Sequence, residues 1–140
     1  MIISPIRARP SRKDVRETQL AAMIEYLRGV VLSGHNRTER FHAIFADSRR
    51  SYLGDAALGE GDVNALTVRM RDLFSRALAL EASAIIVAHN HPSGDCRPSR
   101  HDIEATKRLV TIGEALDITL LDHLIFTHHS VYSMRAGGDL

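Results

Sequence analysis

The chain has 140 residues, 44% of them hydrophobic, a length that suits one globular domain with its own core. No apolar run nears the roughly 20 residues of a bilayer-crossing helix, and Met1 to Arg12 lacks the apolar stretch of a secretory leader, so a soluble, cytoplasmic protein is expected. Eighteen basic against seventeen acidic side chains argue against a domain-wide basic field for nucleic acid, and the single Cys96 rules out an internal disulfide.

Charge is concentrated only at the start, where Arg7, Arg9, Arg12, Lys13 and Arg16 form either a solvated tail and helix start or a nucleic-acid contact. Pro10-Ser11 followed by Asp14 has the form of a capping box, and Leu20, Met23, Ile24, Leu27, Val30 and Val31 recur at helical spacing. An amphipathic helix is predicted over 12–32, with Gly34 at its C-cap. Residues 1–36 thus form a basic segment and helix ahead of the main unit, 37–140.

Phe41, Ala43 and Phe45 alternate with His42 and Ile44 as in a strand, and a hairpin leads to a second strand near 51–58. Gly59 and Gly61 punctuate a loop, after which Leu66, Met70, Leu73, Phe74 and Ala77 predict a helix ending near Leu80. Ala84 to Ala88 is a short continuous apolar run, as expected of a central strand buried on both faces. The loop His89 to Pro98 leads to a helix over 100–115, with Ile103, Thr106, Leu109, Val110 and Gly113 facing inward. Strands near 118–126 and 130–135 complete a layered α/β domain with helices on both faces of its sheet.

Chemistry gathers in the segment after the apolar strand. His89 and His91 are two apart at a strand end, so both imidazoles project to one side. Pro92, Gly94 and Pro98 equip the loop to fold Asp102 back toward them. Two imidazoles and a carboxylate suit zinc, and three protein ligands leave one tetrahedral position open, as catalytic sites do. The same residues also fit a plainer role. Ser99 with Asp102 three residues later makes an ordinary helix N-cap, and a His-x-His pair can simply be hydrogen-bonded. Spacing alone leaves both readings standing.

The sequence His89-Asn90-His91, the seven residues between His91 and Ser99, and Ser99-Arg100-His101-Asp102 resemble the His-x-His-x7-Ser-x2-Asp signature of JAB/MPN (JAMM) metalloproteases. The wording His89-Asn90-His91-Pro92-Ser93-Gly94, Pro98-Ser99-Arg100 and Leu121-Asp122-His123-Leu124 is similar to the RadC-like branch, with coverage from about Glu39 to the C-terminus. That resemblance implies a three-layer α-β-α, cytidine-deaminase-like fold with a mixed, curved sheet. It implies zinc (Zn2+) on His89, His91 and Asp102, Glu39 as general base and Ser99 as oxyanion donor. Glu60, beside Gly61, is the competing acid for the base.

Neighbouring residues carry smaller expectations: Ser93 and Asp95 as turn formers, His101 pointing away from the site, His128 and His129 solvated in a turn. Asp122-His123 is either a structural pair or the support of a zinc-binding histidine. Two features depart from the branch: Met70 precedes Arg71 where a Pro-Arg pair is usual, and only one helix fits before Glu39, where longer members carry a helix-hairpin-helix region.

The leading functional expectation is a zinc metallopeptidase or isopeptidase acting on a protein or peptide, with a ubiquitin-like protein or its conjugates as one substrate class. The alternatives are a RadC-type DNA-processing protein, either nuclease or accessory factor, and a non-catalytic module. The N-terminal helix also offers a surface for homodimerisation.

Overall fold

The computed structural model describes residues 12–33, 38–61 and 70–140, with side chains described from residue 16 onward and not at 60–61. Its elements are α1 (Arg12–Leu32), β1 (Glu39–Ala46), β2 (Tyr52–Gly61), α2 (Met70–Ala79), β3 (Ala84–Asn90), α3 (Arg100–Ala115), β4 (Thr119–Phe126) and β5 (Val131–Ser133). The strands form one sheet in the order β2-β1-β3-β4-β5. β3 is central, antiparallel to β1 and parallel to β4. Parallel neighbours need a crossover, and α3 supplies it. All seven β3 residues are buried, as their unbroken apolar run requires.

Helices cover both faces. Beneath α1, Met23, Leu27 and Val31 pack on Ile44, Ile86, Ala88, Leu124 and Phe126. On the opposite face, Leu73, Phe74 and Ala77 of α2 and Leu109 of α3 close over Phe41, Ala43, Phe45, Ile85 and Val87. The sheet is therefore mixed and the architecture three-layered, as expected. Phe41 to Ala46 alternate between the two layers and are buried throughout. His42, on the α1 side, meets Asp55 Oδ2 at 2.5 Å, and Asp55 also accepts from the hydroxyls of Tyr26 and Tyr52. This polar cluster ties α1 to the β1-β2 hairpin.

Several boundaries differ from the sequence reading. Gly59 and Gly61 lie in β2, which runs on to Gly61 instead of giving way to a loop. The register with β1 slips between Phe41–Gly59 and His42–Ala57, and Gly59 has φ 129 there. A glycine in a strand marks such a bulge as readily as a loop. β3 likewise extends through Asn90, because its ladder with β4 continues to Asn90–Phe126. β5 ends at Ser133, where Gly137 N donates to Ser133 O at 2.9 Å and turns the chain.

α1 matches 12–32, though its buried stripe is narrower than expected: Leu20 is 37% exposed, lining a groove against Leu121 and Leu124. The capping signals at Pro10, Ser11 and Gly34, and Leu66 at the start of the second predicted helix, lie outside the described residues. Among the described residues, no helix is long and apolar enough to cross a membrane.

α3 fits tightly at its C-terminal end. Ile118 N donates to Gly113 O at 2.8 Å, and a Cβ on Gly113 would sit 2.4 Å from Ile118 O. Gly113 is thus required by close approach, which places the helix and the Asp102 it carries.

Candidate metal centre

The site is built at the C-terminal end of β3. Phe41 is the Cα partner of His89 and its ring stacks on the imidazole, centroids 4.6 Å apart, so the His89 ring is sandwiched inside the core. His91 follows the strand and keeps it company on the same face: its backbone N–H donates to Phe126 O at 2.9 Å. The loop then turns at Gly94, whose φ of 87 suits glycine and whose N–H donates to His91 O at 3.2 Å. Ser93 Oγ accepts from Asp95 N, and Asp95 accepts from Arg97, so these residues form the turn as expected. Cys96, part-exposed in this loop, is a free thiol.

Ser99 is the N-cap of α3. Its Oγ accepts from Asp102 N at 3.1 Å, and Asp102 Oδ2 accepts from Ser99 N at 2.8 Å, a full capping box. The helix-cap reading is therefore correct, and it does not exclude the other. The cap uses Oδ2 of Asp102 and leaves the buried Oδ1 without a hydrogen bond, 3.3 Å from His89 Nε2. His91 Nε2 lies 3.0 Å from His89 Nε2 and 3.1 Å from Asp102 Oδ2. One ligand atom from each residue lies within 4.8 Å of the others.

Hydrogen-bond partners fix which of these atoms carry protons. Thr106 Oγ1 lies 2.6 Å from the Asp102 carbonyl and 3.4 Å from Met134 Sδ, both acceptors only, so its single proton points away from His123. His123 Nδ1, 2.7 Å from Thr106 Oγ1, must then donate. Neutral His123 in turn accepts at Nε2 from His89 Nδ1, at 2.7 Å. His89 Nε2 is left as a bare lone pair. His91 reaches the same state by a shorter route, since its Nδ1 donates to the Asp95 carbonyl at 2.8 Å. With His91 neutral, two lone pairs and a carboxylate thus face one point, an arrangement of mutual repulsion that a cation, metal ion or proton, relieves.

The electrostatics agree. Burial lowers the pKa of His89 against the opposing pull of Asp102, and burial lowers that of His123 well below its usual value. Burial opposes ionisation of Asp102 as well, yet the close approach of the His89 and His91 imidazoles holds its carboxyl below the usual carboxylate range. For His91, burial is outweighed by Asp102 and the Asp95 carbonyl, so its pKa is raised. A proton taken up at His91 Nε2 would lie between His89 Nε2 and Asp102 Oδ2, which is why that pKa rises. His89, His91 and Asp102 could hold a metal ion: the donor set, the tautomers and the orphaned Oδ1 all fit one.

An open cleft of about 300 Å³ adjoins these residues, lined by Glu39, His91, Pro92, Ser93, Asp95, Arg97 and Ser99. Glu39 lies two residues before Phe41 and so on the same sheet face as His89, and its charge helps to raise the pKa of His91. Ser99 uses an Oγ lone pair for the cap and keeps its hydroxyl proton for the cleft. The rival acid, Glu60, pairs across β2 with Arg40, and its side chain lies outside the described residues.

The remaining histidines sort as expected: His101, His128 and His129 are exposed. Of the Asp122-His123 pair, only His123 supports the site. Asp122 accepts from His123 N, Arg135 N and Ser133 Oγ, and so braces the chain after β5. Sequence reasoning placed Thr106 on an apolar stripe and passed over it. A hydroxyl four residues after Asp102, on the same buried helix face, was the available signal. Asn90 was also missed. It is buried, with its amide bonded to Arg40 N and Thr38 O.

Residues 18–139 match the family model of the RadC-like JAB domain. A UPF0758 protein of Ruegeria pomeroyi is 40% identical over 119 residues, covering 85% of this chain and 52% of the relative. A UPF0758 protein of Syntrophotalea carbinolica is 38% identical over 109 residues, covering 78% of this chain and 48% of the relative. The chain spans about half the length of these curated relatives. With the fold, the metal-ready trio and these matches in agreement, the chain belongs to the RadC-like JAB domain family.

Proposed function

We propose that the chain is a zinc-dependent hydrolase of amide bonds, a metallopeptidase or isopeptidase, with His89, His91 and Asp102 as zinc ligands. The observation that carries this reading is the convergence of one donor atom each from His89, His91 and Asp102 at the edge of a cleft that Glu39 and Ser99 also line. A zinc ion there would bring the pKa of a water molecule toward neutrality and polarise the scissile carbonyl. Glu39 takes the proton of the attacking water and delivers it to the leaving amine nitrogen. Ser99 Oγ donates to the oxygen that gains charge as the carbonyl is attacked, while its lone pair stays on the Asp102 N–H. Neither task disturbs the metal ligands.

The substrate class is a protein or peptide, and conjugates of a ubiquitin-like protein are the first set to try. The test is metal analysis of the purified chain together with turnover of amide-linked substrates. Glu39→Gln is expected to keep zinc and lose cleavage, and Asp102→Ala to lose both. Normal turnover by Glu39→Gln would remove Glu39 as the base. Tight DNA binding that weakens steeply with added salt, without any amide cleavage, would move the assignment to DNA processing.

A further inference from the structure

The general base proposed above stands at the start of β1, where β2 pairs with it through Glu39–Gly61 on one side and the ladder to β3 has stopped on the other. The last backbone pair between β1 and β3 is Phe41–His89, and Glu39 lies beyond it. On the β3 side, the Asn90 side chain carries the contact past that point. Asn90 Oδ1 accepts from Arg40 N at 2.7 Å and Asn90 Nδ2 donates to Thr38 O at 3.1 Å, so a single amide grips the peptide groups on both sides of Glu39. The orientation of that amide is forced, because Thr38 O can only accept and Arg40 N–H can only donate. Asn90 is 5% exposed and is the residue between His89 and His91.

We infer that Asn90 is a positioning residue that sets the place of Glu39 relative to the metal ligands on either side of it. One residue type meets the need: a short side chain with a donor and an acceptor in one plane. The inference rests on Glu39 being the base. It adds that the spacing between base and metal is fixed by the strand that carries the histidines, so that both halves of the site move together. A base displaced by about 1 Å forfeits much of its rate advantage, on the order of 10²-fold.

The experiment pairs kinetics with backbone amide exchange. In the metal-free chain, Asn90→Ala is expected to speed exchange of the Arg40 amide at least about tenfold while the amides of Ile86 and Val87 keep their protection, which reports that the fold is intact. Asn90→Asp keeps an acceptor for Arg40 N and is expected to restore that protection. In the zinc-loaded chain, Asn90→Ala should lower kcat about 10- to 100-fold with KM and bound zinc unchanged. Wild-type protection at Arg40 in Asn90→Ala overturns the clamp. Wild-type kcat in Asn90→Ala, with Glu39→Gln inactive, overturns the positioning role and leaves the base standing. Wild-type kcat in Glu39→Gln overturns the base, and the positioning role falls with it.

Discussion

Thr106→Val tests the proton relay behind His89 with almost no change of shape. The hydroxyl is fully buried and holds the Asp102 carbonyl at 2.6 Å and His123 Nδ1 at 2.7 Å. Valine leaves the Nδ1–H of His123 without an acceptor, a buried loss of about 1–3 kcal/mol. His123 can relieve this only by moving its proton to Nε2, where it meets His89 Nδ1 at 2.7 Å. His89 must then carry its own proton on Nε2, the atom that faces His91 and Asp102 in the candidate site. Both routes penalise the same state, so zinc affinity is expected to fall about 10- to 100-fold, the range for the loss of a partner behind a metal-binding histidine. Competition with a chromophoric chelator measures it. Thr106→Ser, which keeps the hydroxyl, should recover most of the affinity. If Thr106→Val binds zinc as tightly as the wild type, the relay does not set the tautomer of His89 and the reasoning from proton positions is wrong.

Metal affinity should also depend on pH with a definite sign. The pKa of His91 is raised in the metal-free chain, and that proton must leave before zinc can bind. Affinity is therefore full above that pKa and falls as pH drops through it, by about tenfold per unit, in chelator competitions run across a pH series. A flat profile would show that no proton is displaced. Ser99→Ala removes both a cap and an oxyanion donor: thermal unfolding should report a loss of about 1 kcal/mol, and kcat about a 10²-fold drop. An unfolding shift without a kcat effect would confine Ser99 to capping. Gly113→Ala places a methyl 2.4 Å from the Ile118 carbonyl. The clash, about 1–3 kcal/mol, outweighs a helix-propensity gain of about 1, so Tm should fall by a few degrees, and a rise would mean the turn after α3 yields freely.

How far the sequence carried the structure differs between its levels, and the reason is physical. Period and apolar content report which faces are buried, so the doubly covered β3 and the stripes of α2 and α3 are readable in the sequence. Glycine reports only local permissiveness, and Gly59 serves a bulge as well as it would serve a loop. The metal trio was readable as residue types, and the sequence also offered a capping box in the same place. The fold shows why those two readings never competed: a carboxylate has two oxygens, and Asp102 spends Oδ2 on the cap while Oδ1 stays open. What sequence could not supply was the set of supporting groups. Thr106 and Asn90 act through distances that arise only when α3 crosses behind β3 and β1 runs beside it. Their roles come from contacts across 17 and 50 residues of chain, and no local pattern encodes them. The same contacts couple the site to the fold. A change at Asn90 reaches the peptide groups around the proposed base directly, and a change at Thr106 reaches His89 through His123, which is why both can be tested without replacing a ligand.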